Sequence, residues 1–377
     1  MAAKGAAGER FMRLALRLAR RARGRTSPNP MVGAVLTKGG EVVGRGYHRR
    51  AGTEHAEIRA IRDAGARAVG GTLYVNLEPC NHQGRTGPCA RAIIDAGIRR
   101  VVIGMKDPNP LVNGKGIAAL RRHGVEVVTG VLEQESRDLN EFFICFITKR
   151  RPFVTFKAAI TLDGRVAARG GDSRWVTGEA ARREGHRLRA THDAIMVGVG
   201  TVLRDNPTLT CREVRGGRDP VRVVVDSRLR TPVDSRVIRA AAGSPAPTLV
   251  MTTPGASRRR ERALVAAGAA VLRVPGEGRV AIPALVTALA ERGVTSLLLE
   301  GGPTLAGSFW AAGVVDRVVA FLAPKLLADP RALPMLAGPP AGAMAAAVEL
   351  ARTRVRRVGN DIMISGAPLL AAHGEEG

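Results

Sequence analysis

His55-Ala56-Glu57 and, after a gap, Glu78-Pro79-Cys80-Asn81-His82-Gln83-Gly84-Arg85-Thr86-Gly87-Pro88-Cys89 place one imidazole and two thiols in a short region. A borderline nitrogen and two soft sulfurs suit tetrahedral Zn²⁺ with one position left open. Glu57, two residues past the histidine, is a carboxylate that need not be a ligand. Residues 72–77 (TLYVNL) read as a strand that delivers Pro79-Cys80, and residues 57–66 and 89–96 read as helices. Cys89 then stands near a helix N-terminus, where the macrodipole and free N–H groups favour thiolate, the form that ligates metal. Each half of the cluster opens a helix, so the two can meet across adjacent elements of an alternating α/β unit.

Outward from this stretch the alternation continues. Residues 31–36 and 41–46 form an expected strand pair turning at Lys38-Gly39-Gly40, preceded by the rigid Thr26-Ser27-Pro28-Asn29-Pro30. Downstream come a strand at 101–105, Lys106-Asp107-Pro108-Asn109-Pro110, a helix at 117–123 and a strand at 125–129. Residues 9–23 place Phe11, Leu14, Ala15, Leu18 and Ala22 on one helical stripe studded with arginine. Such a helix could be a presequence or lie on a membrane surface. Interrupting arginines and the lack of a small-residue cleavage site favour a first helix packed on the sheet. Residues 1–8 and those from Ala367 onward are expected to lack fixed structure.

A chain of 377 residues is long for one core, so two domains are expected. The basic run Lys149-Arg150-Arg151-Pro152 marks the boundary, giving domains at 1–148 and 149–377. No apolar run reaches the roughly 18 residues of a membrane span. The net charge of +25 admits nucleic acid, yet it equally suits a phosphorylated substrate and cofactor. Arginines are dispersed and aromatics make up only 3% of the chain, too few for base-stacking platforms. Four cysteines, two of them in the metal cluster, are not a disulfide framework, so a cytoplasmic location is expected.

The second half is again α/β. Strands are expected at 153–160, 193–197, 221–225, 248–252, 270–274, 296–300 and 318–322, with helices at 179–190, 258–267 and 280–291. Residues 352–364 read as a strand pair turning at Gly359-Asn360-Asp361. Two glycine-rich strand ends, Val197 to Pro207 and Glu300 to Ser308, let a backbone approach a ligand closely. Neither has the Gly-x-Gly-x-x-Gly spacing, so a plain tight turn remains open for each.

A metal-activated water beside a non-ligand glutamate is the arrangement of zinc deaminases acting on nucleobases, whose signature closes Pro-Cys-x-x-Cys. Here eight residues separate the cysteines, which argues against cytidine and tRNA-adenosine deaminases. The longer gap with His82, Gly84, Thr86 and Pro88, together with Ser27 to Gly33 and Asp107 to Pro110, resembles the deaminase of riboflavin biosynthesis. Lys157, Thr161-Leu162-Asp163-Gly164, Trp175-Val176-Thr177-Gly178, Gly198 to Pro207 and Glu300-Gly301-Gly302-Pro303-Thr304 resemble the reductase of the same pathway. The whole chain is thus similar to the bifunctional riboflavin-biosynthesis deaminase/reductases.

That resemblance implies a cytidine-deaminase-like three-layer α/β domain followed by a dihydrofolate-reductase-like domain. It implies Zn²⁺ on His55, Cys80 and Cys89, and Glu57 as the catalytic proton carrier. Asn29, His48, His82, Arg85, Lys106, Asp107 and Asn109 are implied at the substrate of the first domain. The family often carries lysine where Arg85 stands. Ala159, Trp175, Thr201, Asp205, Ser227 and Gly302, Pro303, Thr304, Leu305, Ala306, Gly307 and Ser308 are implied at NADPH. Lys157, Ser173, Arg189, Leu209, Arg212 and Glu300 are implied at the sugar-phosphate substrate. The implied reactions are hydrolytic deamination of a diaminopyrimidine carrying phosphoribose, then reduction of the ribosyl group to a ribityl chain. A homo-oligomer, dimer or tetramer, is expected. Two other readings compete: a nucleic-acid-editing zinc deaminase with an RNA-binding second half, and a scaffold in which His82 completes a structural zinc site.

Overall fold

The structure, a computed structural model, describes residues 6–81 and 87–369. It divides into two compact units, residues 1–150 and 151–377. His82 and Arg85 lie outside the described residues, as do residues 1–5 and 370–377 at the termini.

The first unit runs α1 (Ala6–Arg20), β1 (Gly33–Lys38), β2 (Glu41–Tyr47), α2 (Ala56–Ala64), β3 (Thr72–Leu77), α3 (Cys89–Asp95), β4 (Arg100–Met105), α4 (Lys115–Arg122), β5 (Glu126–Thr129), α5 (Glu133–Leu139) and α6 (Glu141–Lys149). Its five strands lie in the order β2-β1-β3-β4-β5, antiparallel through β3 and parallel beyond it. One face is covered by α1 and α5, through Phe11, Met12, Leu16 and Leu139. The other carries α2, α3 and α4, through Ala60, Ile93, Ile117 and Leu120. Three layers result, and the helix expected from the basic stripe at 9–23 packs on the sheet.

The height of α2 above the sheet is set by absent side chains. Gly44 and Gly46 of β2 share one face, and a Cβ on Gly46 would stand 2.1 Å from the Ala56 carbonyl oxygen and 2.7 Å from the Ala60 nitrogen. This close approach fixes the start of α2, where His55 is the extended residue before the helix and Glu57 lies in its first turn. Gly46→Ala is therefore expected to destabilise the unit by about 1–3 kcal/mol, the usual range for overpacking. Thermal unfolding reads the loss, and zinc content reports whether His55 has shifted.

The second unit comprises β6 (Phe153–Thr161), β7 (Arg165–Ala167), α7 (Glu179–Thr191), β8 (Ala194–Gly198), α8 (Val199–Asp205), β9 (Val221–Val225), α9 (Arg236–Arg239), β10 (Thr248–Thr252), α10 (Arg258–Ala266), β11 (Ala270–Arg273), α11 (Ile282–Ala290), β12 (Ser296–Leu299), α12 (Pro303–Ala311), β13 (Arg317–Ala323), β14 (Leu333–Pro334), β15 (Leu350–Val358) and β16 (Asp361–Pro368). Nine strands form one sheet in the order β11-β10-β9-β8-β12-β6-β13-β16-β15, parallel from β11 to β13. Runs such as SLLL, buried at every position, suit strands buried on both faces. One face packs on α11 and α12 through Leu285, Leu289 and Phe309. The other packs on α8, α9 and α10 through Val202, Val237 and Leu264.

Three expectations change in detail. The glycine-rich strand end at 197–207 becomes α8, because Gly198 caps a short helix rather than extending a loop. The terminal segment expected to be irregular at 1–8 is already helical from Ala6. The tail expected to loosen at Ala367 stays paired through Pro368, which faces Leu350 across the hairpin.

Candidate functional site

In the first unit His55, Cys80 and Cys89 meet. Their ligand atoms all lie within 4.8 Å of one another, the imidazole Nδ1 standing 3.1 Å from the Cys89 sulfur and 3.7 Å from that of Cys80. Tetrahedral zinc with N and S ligands separates those atoms by about 3.5–3.8 Å. The donor set therefore fits the ion. Cys80 is reached from the end of β3, and its sulfur accepts the backbone N–H of Cys89 at 3.4 Å. The Cys89 thiol, then the His55 imidazole and that N–H, hold the Cys80 thiol well below its ordinary value against its burial, while the contact with Cys80 and burial push Cys89 up.

Glu57 is 3% exposed, and its Oε2 has no hydrogen-bond partner among the described residues. Burial first, and the Cys80 thiolate second, push its carboxyl up to about 7. The group of three candidate metal donors does not include Glu57.

A cleft of about 180 Å³ opens over these groups, lined by Asn29, His48, His55, Glu57, Glu78, Cys80, Asp107, Asn109 and Phe143 among others. His48 is neutral in a defined tautomer: Nδ1–H donates to the Glu54 carbonyl (3.2 Å), so Nε2 accepts from the Asn29 amide (3.1 Å). Burial lowers its pKa, with the Glu54 carbonyl opposing. The segment bearing Asn29 is pinned by two asparagines that the sequence reading missed. Asn76 accepts from Gly33 N–H and donates to the Met31 carbonyl, and Asn140 brackets Met31 from both sides. Of the remaining expected residues, Lys106 is exposed and stands outside the cleft lining.

In the second unit a cleft of about 160 Å³ lies at the carboxyl ends of β6, β8 and β12. Lys157, Ala159, Ser173, Thr201, Asp205, Glu300, Gly302 and Pro303 line it, joined by Arg204, Leu333 and Met335, which sequence reasoning did not single out. Glu300 is clasped by Arg189 in a two-point pair, Nε to Oε1 at 3.0 Å and Nη2 to Oε2 at 2.8 Å, with Lys157 Nζ at 3.9 Å. Burial would raise the Glu300 carboxyl, but Arg189 and Lys157 overcome it and hold it at about 2. The third guanidinium nitrogen of Arg189 donates to the Thr210 carbonyl at 3.2 Å. Its charge is thus already matched inside the protein.

Other expected contacts are placed differently. Ala306 is 1% exposed in the core, and a Cβ on Gly307 would stand 1.7 Å from the Ala337 carbonyl oxygen. Both therefore face inward, because α12 turns its first buried stripe there. Thr304, Leu305 and Ser308 are also absent from the cleft lining; Leu305 packs on the core. Leu209 is 2% exposed with a left-handed φ of 54°, leaving only its backbone available. Arg212 is exposed, its guanidinium bonded to the hydroxyls of Thr208 and Thr210. Trp175 is 63% exposed, with the Arg182 guanidinium 4.6 Å from its ring centre, and stands outside the cleft lining. Ser227 lines a separate cleft of about 410 Å³ with Arg228, Thr253 and Ser257.

Residues 6–105 match the cytidine and deoxycytidylate deaminase zinc-binding region, and residues 152–364 match the RibD C-terminal domain. The riboflavin biosynthesis protein RibD of Bacillus amyloliquefaciens is 42% identical over 368 residues, spanning 98% of each chain. The chain belongs to the RibD family. Its Escherichia coli (strain K12) relative is 39% identical over 370 residues, covering 94% of this chain and 98% of the other. The solved structure of Acinetobacter baumannii RibD matches with a TM-score of 0.86 at 33% identity, over 97% of this chain and 99% of that one. The Thermotoga maritima deaminase/reductase matches with a TM-score of 0.82 at 36% identity, over 96% and 99%. As a RibD the chain is a bifunctional enzyme of riboflavin biosynthesis. It joins a cytidine-deaminase-like zinc deaminase to an NADPH-dependent reductase acting on a phosphoribosylated pyrimidine. The RibD C-terminal domain stands where the editing alternative required an RNA-binding module.

Proposed function

We propose that the two clefts carry the two reactions in chain order, deamination in residues 1–150 and reduction in residues 151–377, with the following residue roles. The observation that carries the first is the unpartnered Glu57 Oε2 beside the His55, Cys80 and Cys89 donors. Zinc held by those three residues supplies Lewis acidity that makes water nucleophilic at neutral pH. Glu57 takes the proton of the attacking water and returns it to the departing amine of the pyrimidine. Asn29, with its amide held by neutral His48, and Asn109 present polar groups to the ring and sugar, and Asp107 fixes the Asn109 backbone at 2.8 Å. Arg85 and His82 are retained as substrate contacts by family resemblance alone.

In the second unit NADPH supplies the hydride for the anomeric carbon of the ring-opened ribosyl group. Ala159, Thr201, Asp205, Gly302 and Pro303 line the same cleft as Lys157, Ser173 and Glu300, which supports placing the nicotinamide end beside the sugar there. Ser227, at the end of β9, is two strands from β12, about 10 Å at the usual strand spacing. That span supports one extended dinucleotide reaching both clefts along the carboxyl edge. Lys157 and Arg204 are the cations that line the cleft and Arg212 is exposed outside it, whereas Arg189 is engaged by Glu300 at two points and positions it.

We also read the chain as a homo-oligomer in the cytoplasm. The oligomer rests on the family resemblance alone, and all four cysteines are free thiols. No described helix is long and apolar enough to cross a membrane. Chelating the metal tests the division of labour: ammonia release is expected to stop while NADPH oxidation on the deaminated substrate continues. Loss of both would contradict it.

A further inference from the structure

We infer that Glu78 is the positioning residue of the deaminase cleft, the group that ties the metal-ligand turn to the substrate loop. Glu78 directly follows strand β3 and precedes Pro79-Cys80, and is 3% exposed. A carboxylate so placed must find donors. It finds four, all backbone. Oε2 accepts the N–H of Asp107 (3.2 Å) and Gly114 (2.9 Å), and Oε1 accepts those of Gly116 (3.1 Å) and Ile117 (3.2 Å). The last two belong to the first turn of α4, where helical N–H groups lack partners of their own.

The consequence reaches the cleft. With its N–H held by Glu78, Asp107 turns its carboxylate onto the Asn109 N–H at 2.8 Å, and the Asn109 side chain in turn accepts the Leu111 N–H at 3.1 Å. The loop bearing Asp107 and Asn109 is therefore hung from the strand that also delivers Cys80. The other side of the joint is equally tight: a Cβ on Gly116 would stand 2.0 Å from the Pro79 carbonyl oxygen. Both Glu78 oxygens are occupied twice, so the residue has no acceptor left for substrate. It acts through Asp107 and Asn109, and the inference rests on reading those two as substrate contacts.

Glu78→Gln replaces one doubly accepting oxygen with a donor that faces two N–H groups. We expect KM for the diaminopyrimidine substrate to rise about 10- to 100-fold, the worth of about one charge-assisted hydrogen bond. kcat at saturation should stay within about 3-fold, a small change on the transition-state scale, with zinc and NADPH oxidation unchanged. A fall in kcat at unchanged KM would make Glu78 part of the chemistry, and loss of zinc would make it a support of Cys80 alone; either overturns the inference, as does no change at all. Glu78→Asp keeps the charge but is too short to span both donor pairs, so it reads the same split if the Gln chain does not fold. Asn109→Ala separates the underlying reading: if it leaves KM unchanged, the substrate assignment fails. If it raises KM while Glu78→Gln does not, only the Glu78 inference fails.

Discussion

Replacing Glu57 by Gln is expected to lower ammonia release by about 10²- to 10⁴-fold, the range that a positioned proton carrier contributes, while zinc content and NADPH oxidation stay at the native level. The amide has the shape of the carboxyl but cannot take a proton from water. Glu57 is 3% exposed and its Oε2 meets no hydrogen-bond partner among the described residues, so the amide that takes its place there displaces no existing bond of that oxygen. The three metal donors lie within 4.8 Å of one another without it. Elemental analysis beside the ammonia assay checks both halves of the expectation. Loss of zinc in the variant would make Glu57 a ligand.

Breaking the Arg189–Glu300 pair is expected to have the largest effect on stability. Arg189→Met leaves a buried carboxylate facing Lys157 at 3.9 Å in place of a two-point guanidinium, and removing one partner of such a pair costs about 3–5 kcal/mol. NADPH oxidation should fall with the folded fraction and beyond it, because Glu300 and the Thr210 carbonyl both lose their anchor. The double change Arg189→Met with Glu300→Gln should recover part of the stability and none of the activity. Denaturant unfolding of the four chains gives the coupling directly.

The same pair predicts a pH dependence. The Glu300 carboxyl is held at about 2 against a reference of 4.5, so the folded state prefers the ionised form. Its stabilisation is complete above pH 4.5, declines as pH falls toward 2, and is gone below; its size is on the order of 3 kcal/mol. Glu300→Gln should flatten that part of the acid-unfolding curve.

The metal site was legible in the sequence because its chemistry is carried by residue type and spacing. His55, Glu57, Cys80 and Cys89 sit at element ends that local patterns place well. Residues 72–77 and 248–252 are short, mostly apolar runs, and both strands have those bounds. What escaped depends on contacts distant in the chain. Arg189 reads as a free phosphate clamp until folding brings Glu300 to it from 111 positions away. The inward turn of Ala306 and Gly307 depends on the helical phase of α12, which the glycines of that stretch do not reveal. Glu78 left one signal, a carboxylate directly after an apolar strand, and its meaning required the position of the α4 N-terminus. α8 was hidden by Gly198 and Gly200, poor helix formers that a cap and a first turn nonetheless accept.

The most direct test of the account gives the purified zinc-loaded chain the unprocessed diaminopyrimidine ribotide together with NADPH, following ammonia and NADPH oxidation in one reaction. Ammonia should appear first, NADPH oxidation should follow after a lag, and the two should reach equal amounts. NADPH oxidation that runs ahead of ammonia, or ammonia release that no oxidation ever follows, would contradict two consecutive reactions carried by one chain.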